Sequence, residues 1–245
     1  MMTDDTLLLA LAIFAVAILY SSVGHAGASG YIAVMSLFGL SADFIKPVAL
    51  VLNVGVAAIG TWQFVRAGHF SWRLFWPFAV LAVPFAWLGG WLNLPGHVFK
   101  IIVGVVLLFS AWRFMFQPPA DEALSEPSRP AALGLGAGLG FLSGLTGTGG
   151  GIFLTPLLLF MRWSPAKIAA GVSAAFILVN SIAALLGNQS STHSFPALAW
   201  PLVAAALAGG LIGSTLGSRH LPHGVIKKCL AAVLFVAGLK LIFAH

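Results

Sequence analysis

Residues 144–151 read GLTGTGGG, five glycines and two threonines in eight positions of an otherwise apolar chain. Three consecutive glycines followed by Pro156 weaken a helix more than close packing requires, so the backbone is expected to break here. What needs so much bare peptide depends on the surroundings. Of the 245 residues, 60% are hydrophobic and only 7% are charged, against about 25% charge in a soluble domain. No soluble core hides that much apolar surface, so the bilayer is the natural solvent and the chain reads as an all-α, polytopic integral membrane protein.

Composition also narrows the partners. The net charge of +6 is scattered over short loops without a basic run, so nucleic acid is not expected. Cys229 is the single cysteine, which excludes an intramolecular disulfide and suggests no metal cluster. The first residues, with Asp4 and Asp5, lack the positive start of a cleavable signal, so Leu7 onward is read as membrane segment.

Working outward from the break, ten apolar segments are expected, at 6–24, 28–40, 44–65, 72–91, 98–116, 131–145, 151–161, 165–186, 196–217 and 225–243. Between the fifth and sixth, residues 117–130 read QPPADEALSEPSRP, a polar, proline-rich linker. Each half holds two short or glycine-interrupted segments and then three long ones, so residues 1–116 and 131–245 read as two membrane repeats. Gly24, Gly27 and Gly30 stand 120 positions before Gly144, Gly147 and Gly150. Trp76-Pro77 matches Trp200-Pro201 at 124, and Asn53 matches Asn180, as Leu94-Pro95 matches Leu221-Pro222, at 127.

If every segment crosses, Arg66, Arg73, Arg113, Arg129, Arg162, Lys167, Arg219, Lys227 and Lys228 share one side, and Lys46, Lys100 and Lys240 the other. Positive charge marks the cytoplasm, so the linker is expected inside and both termini outside, in the bacterial inner membrane. The count is unchanged if each short pair is a re-entrant hairpin. An odd number of crossings per half makes the halves inverted repeats. A rival layout, one crossing per short pair and parallel repeats, mixes the basic loops between sides and ranks lower.

Irregular backbone at membrane depth is tolerated only beside protein or a water-filled cavity. Interrupted helices at matching places in two halves point to a transporter's substrate site. Glycines bring peptide N–H groups close to a ligand, and the following helix adds partial positive charge at its N-terminus. Together they form an anion site without a charged side chain. The alternative is plain helix packing, the preferred reading for GLGAGLG at 134–140. Nucleotide loops are disfavoured, since neither the phosphate-loop lysine nor the dinucleotide spacing is present.

The polar census agrees with an anion. The acids Asp4, Asp5, Asp43, Asp121, Glu122 and Glu126 all fall outside the expected spans. That speaks against a metal-cation carrier. Of seven histidines only His25, in SSVGHAGASG, falls at an intramembrane break, opposite Leu145 in the glycine register. It is the candidate for ligand contact or proton coupling, with a neutral ring bonded to a freed carbonyl as the alternative. Ser22, Ser29, Thr146 and Thr148 offer hydroxyls to substrate or, alternatively, to freed backbone groups. Asn53 and Asn180 stand mid-helix and must face inward, either touching substrate or locking helices. Trp62, Trp72, Trp76, Trp91, Trp163 and Trp200 read as an interfacial belt.

The glycine break in each half, ALVLNVGVAAIGTWQFVRAGHFSWRLFWPF at 49–78 and LAGGLIGSTLGSRHLP at 207–222 resemble the sulfite exporter TauE/SafE family, also called the 4-toluene sulfonate uptake permease family. The likeness covers nearly the whole chain outside the linker. It implies a small membrane protein of two related halves with about eight spans, moving sulfite, sulfonates or other sulfur-containing organic anions across the inner membrane. Gly147, Gly149, Gly150 and Gly151 fit the family's later glycine motif, whereas GHAGASG in the first half departs from it with fewer glycines and His25.

The expectation is a secondary transporter of small anions working by alternating access. The anion would lie between Gly27–Gly30 and Gly147–Gly151, supported by Ser22, Ser29, Thr146 and Thr148, with His25 beside it and Asn53 and Asn180 bracing the site. No catalytic residue, metal or cofactor is expected. The expected partners are a small anion and the lipid bilayer, and a homodimer is compatible with the sequence. A channel for the same anions is the alternative. An intramembrane enzyme is opposed by the lack of a buried carboxylate pair or metal cluster, and a purely structural assembly protein would show no response to ligand.

Overall fold

The structure, a computed structural model, describes residues 4–92, 94–115, 125–192 and 199–219, with 235, 239 and 242 standing alone beyond them. Apart from those three positions, the expected tenth segment, like most of the linker, lies outside these residues. The described residues form α1 (Asp4–Ser21), α2 (Ala28–Leu37), α3 (Ala42–Arg66), α4 (Trp72–Trp91), α5 (Gly96–Met115), α6 (Arg129–Thr146), α7 (Gly151–Phe160), α8 (Ala166–Thr192) and α9 (Ala199–Arg219), with no strand among them.

Boundaries follow local chemistry. The first segment stops at Ser21, short of the expected residue 24, because a turn replaces the helix there: Gly24 donates to the Ser21 carbonyl and His25 to that of Tyr20. The third starts earlier than expected, after Ser41, with Asp43 in its first turn, where an acid suits the helix dipole. Lys46 is therefore a helical residue and buried, not the loop cation that the charge count assumed.

Four described helices, Ala42–Arg66, Trp72–Trp91, Ala166–Gln189 and Trp200–Ser218, are long and apolar enough to cross a membrane. Leu7, Leu8, Trp62, Trp72, Trp91, Trp200 and Leu211 are exposed. So much apolar exterior is what lipid, not water, would cover.

Helix pairing repeats between the halves. The main contacts are α4 with α6, α1 with α9, α4 with α8, α3 with α9, and α3 with α8. Exchanging the halves turns α1–α9 into α6–α4 and α3–α9 into α8–α4, and returns α3–α8 to itself. The halves interlock, since the first helix of each lies on the fourth of the other. Glycine stripes make these approaches close. Gly136, Gly140 and Gly144 on α6 lie against the carbonyls of Phe78, Ala82 and Ala86. Gly209 and Gly213 on α9 lie against the carbonyls of Phe14 and Ile18 on α1, and Gly217 against that of Ser22 just beyond it. Packing is thus the role of GLGAGLG, through Gly136 and Gly140, while Gly134 and Gly138 face open space.

The basic loops gather at one end. Arg73 pairs with Glu126 at 2.9 Å, and the Ser125 N–H donates to the Arg162 carbonyl at 2.9 Å. Arg66 shares a cleft with Thr215 and Ser218 near the end of α9.

Candidate functional site

Two breaks interrupt the helices, between α1 and α2 and between α6 and α7. Gly24 (φ 81°) and Gly27 (φ 107°) bound the first; Gly147 (φ 75°), Gly149 (φ 77°) and Gly150 (φ 80°) shape the second. These left-handed conformations strain any residue with a Cβ. Gly147 closes α6, and Gly27 and Gly150 open α2 and α7. The conformational partners are therefore Gly24 with Gly147 and Gly27 with Gly150, an offset of 123 rather than 120.

That shift corrects three sequence matches. Gly30 and Gly144 are not break residues: Gly30 lies inside α2 against Val16 and Tyr20, and Gly144 inside α6 against Ala86. His25 corresponds to Thr148, not Leu145. The long helices follow at 124, because Gly24 faces Ala170 and Gly147 faces Lys46. Asn53 then corresponds to Ile177, and Asn180 to Val56, so the Asn53–Asn180 pairing is a coincidence of residue type. Matching glycine to glycine failed because backbone conformation, not identity, sets the equivalence.

The first break is filled and largely bonded within itself, with Ser21 Oγ buried there without a partner. Tyr20 and Tyr31 are fully buried there. The Tyr31 hydroxyl donates to the Ala26 carbonyl at 2.6 Å, and Ser29 Oγ to the Tyr20 hydroxyl at 3.1 Å. Ser22 Oγ donates back to Leu19 at 2.7 Å. Asn53 Oδ1 accepts the Ala28 N–H at 3.1 Å, capping α2, and its Nδ2 donates to Ser181 Oγ at 3.3 Å. The gap bordered by Ser21, Gly24, His25, Val56 and Ala174 is too small for a water molecule. His25, buried, places Nε2 3.1 Å from the Gly151 carbonyl. A carbonyl only accepts, so Nε2 carries the proton, and the ring ties the first break to the first residue of α7.

The second break is different. Thr146 Oγ1 donates to the Leu142 carbonyl at 2.7 Å and lies 2.9 Å from Thr148 Oγ1. Its one proton is committed to Leu142, so Thr148 donates to it. No side chain of the N-cap residue caps α7, and Ile177, standing where Asn53 stands in the first half, lies against Gly151 without an acceptor. A Cβ on Gly149 would sit 2.5 Å from Asn53 Nδ2 and 3.0 Å from Ser181 Oγ, so the two breaks meet. Ser143 Oγ and both amide atoms of Asn180 are buried without a hydrogen-bond partner.

Beside this break lies Lys46, 6% exposed. Its Nζ donates to the carbonyls of Leu92 at 2.9 Å, Gly90 at 3.0 Å and Gly89 at 3.4 Å. Three carbonyl acceptors call for three N–H donors, so the group is an ammonium. It sits at the C-terminus of α4, where the helix dipole favours a cation. Its Cγ is 3.4 Å from the Cβ position of Gly147. Asp5, Asp43 and Glu126 are all exposed, so the described interior carries a cation and no carboxylate. Sequence reasoning missed Lys46, although the Ser41–Asp43 helix start placed it one turn inside. It also missed Ser143, whose isolation appears only in three dimensions.

A helical, lipid-suited protein with repeated halves and broken helices meeting inside has the construction of a membrane transporter. The chain matches the model for the family described as sulfite exporter TauE/SafE over residues 9–241, and it belongs to that family. It is 44% identical over 248 residues to the probable membrane transporter protein y4hK of Sinorhizobium fredii, covering 99% of this chain and 100% of the relative. It is 24% identical over 198 residues to the probable membrane transporter protein MJ0441 of Methanocaldococcus jannaschii, covering 74% of this chain and 72% of the relative. With the probable membrane transporter protein MamO of Paramagnetospirillum magneticum the identity is 25% over 253 residues, 85% of this chain but 40% of that protein. All three relatives are described as probable membrane transporter proteins.

Proposed function

We propose that this transporter moves small anions, with sulfite, other sulfur oxyanions and organosulfonates as the substrate class, by alternating access across the bacterial inner membrane. The observation that carries this reading is the buried Lys46 ammonium, which has backbone carbonyls around it but no carboxylate among the described interior residues. A buried charge is costly unless compensated. Carbonyl dipoles compensate in part, and an arriving anion supplies the full counter-charge. A cation would meet the same ammonium as repulsion. The glycine breaks add the ends of α2 and α7, both positive in partial charge.

The halves act as inverted repeats rocking against each other. The end gathering Arg66, Arg73, Arg129 and Arg162 is then the cytoplasmic one, which puts the linker inside and the termini outside. Close packing around His25 suits an occluded carrier better than an open pore. His25, bonded to Gly151, would couple a proton to the movement of α7.

Uptake of labelled sulfite, thiosulfate, methanesulfonate and acetate into proteoliposomes tests this reading. Saturable uptake of the sulfur anions, competed by one another and accelerated by a pH gradient, is expected. Transport of none of these anions would refute it, and unsaturable current at high anion concentration would favour a channel.

A further inference from the structure

We propose that the anion is held at one break only, the second, by the Ser143 hydroxyl, the Asn180 amide and the N-terminus of α7, with Lys46 as the nearby counter-charge. The first break is a filled brace. This inference rests on the anion-transport reading and narrows it to one of two apparently equivalent sites.

At four positions the halves differ in the same direction, although Ser21 Oγ beside the first break is also buried without a partner. Where the first break has the Tyr20 ring, the second has the small Ser143, four residues before the equivalent glycine in each case. The Tyr20 hydroxyl is bonded to Ser29, whereas Ser143 Oγ is buried without a partner. Where Asn53 caps the first N–H of α2, Ile177 leaves α7 without a side-chain acceptor. Where the first half has the apolar Val56, the second has Asn180, wholly buried with neither amide atom bonded. Where Gly24 faces the methyl of Ala170, Gly147 faces the stem of Lys46.

The Ser143, Ile177 and Asn180 differences meet at the start of α7. The Ser143 Cβ lies 3.2 Å from the Cβ position of Gly150, the N-cap of α7. Asn180 stands next to Ser181 and one turn beyond Phe176 and Ile177, and these three residues touch Gly149, Gly150 and Gly151. A buried amide and a buried hydroxyl left unbonded cost stability, and a ligand that bonds them recovers it. Ser143 O–H, Asn180 Nδ2 and the peptide N–H groups of α7 are all neutral donors. A small oxyanion, with several acceptor oxygens and no proton to give, satisfies these donors at once and leaves only Asn180 Oδ1 unbonded. A cation could use only the Ser143 and Asn180 oxygens here.

Binding of sulfite, thiosulfate and methanesulfonate to the purified full-length chain, read as dissociation constants and anion-induced rise in melting temperature, tests the assignment. Ser143→Ala is expected to weaken binding about tenfold and Asn180→Asp more than tenfold, each losing a bond to a charged ligand. Tyr31→Phe, which removes a bond inside the first break, should lower the melting temperature of the free protein and leave the dissociation constant within about twofold. Wild-type protein that binds none of these anions overturns the anion reading and this site with it. Wild-type binding that Ser143→Ala and Asn180→Asp leave unchanged overturns the site alone. Loss of binding in Tyr31→Phe as deep as in Asn180→Asp overturns the one-sided assignment. Should Asn180→Asp not fold, Ser143→Ala decides, since it deletes only a hydroxyl that bonds to nothing in the structure.

Discussion

The first and second breaks share their bounding glycines, but Gly149 is left-handed where its counterpart Ala26 is not, and different side chains fill them. Both are bounded by left-handed glycines at an offset of 123, and both open a ten-residue helix. The first is closed by two buried tyrosines and an asparagine cap. The second has a buried ammonium, an unbonded serine and an unbonded asparagine. Repetition supplied the geometry, and side chains then divided the work. On the proposed reading, one break ties the halves together and the other offers donors to a solute.

The largest expected effect removes the charge from the second break. Lys46→Met keeps an unbranched stem against Gly147 and deletes the ammonium, and sulfite flux should fall about 100-fold, equivalent to about 2.7 kcal/mol. Unchanged flux with normal folding would detach Lys46 from the anion. The next sharpens the packing difference. Gly24→Ala drives a Cβ onto Ala170 and strains φ, so a thermal or denaturant melt should show a loss of about 3 kcal/mol. Gly147→Ala meets only ordinary contact with Lys46, and its strain alone should cost about 1 kcal/mol. Equal losses would contradict the comparison.

Smaller effects test how the breaks communicate. His25→Ala removes the bond from the first break to Gly151, so flux should drop about tenfold while folding and membrane insertion persist. Wild-type flux would take His25 out of the mechanism. Asn53→Ala leaves the Ala28 N–H uncapped and should lower stability by about 1–2 kcal/mol, visible in the same melts.

Much of this organisation was legible in the chain. Low charge and long apolar runs announced the membrane, and GLTGTGGG announced the break, because three glycines cannot sustain a helix. The inward asparagines followed from the cost of an amide in hydrocarbon, and Asn53 and Asn180 are both fully buried. What escaped depended on where backbones cross. Matching by residue type paired Gly24 with Gly144 and Asn53 with Asn180, whereas conformation pairs them with Gly147 and Ile177. Lys46 was counted with the loop cations because it stood at the very start of the run expected at 44–65; the helix begins at Ala42, which puts Lys46 a full turn inside. Thr146 and Ser22 read more readily as caps of freed backbone groups than as ligands, and in the structure each bonds back to a carbonyl of the preceding helix turn.

The most direct test replaces sulfite with selenite and locates the selenium by anomalous diffraction from crystals of the full chain. The account predicts one site, within hydrogen-bond reach of Ser143 and Asn180 at the start of α7 and on the Lys46 side of the break. Selenium at the start of α2 beside Tyr20 and Tyr31, or no bound selenium at saturating selenite, would contradict it.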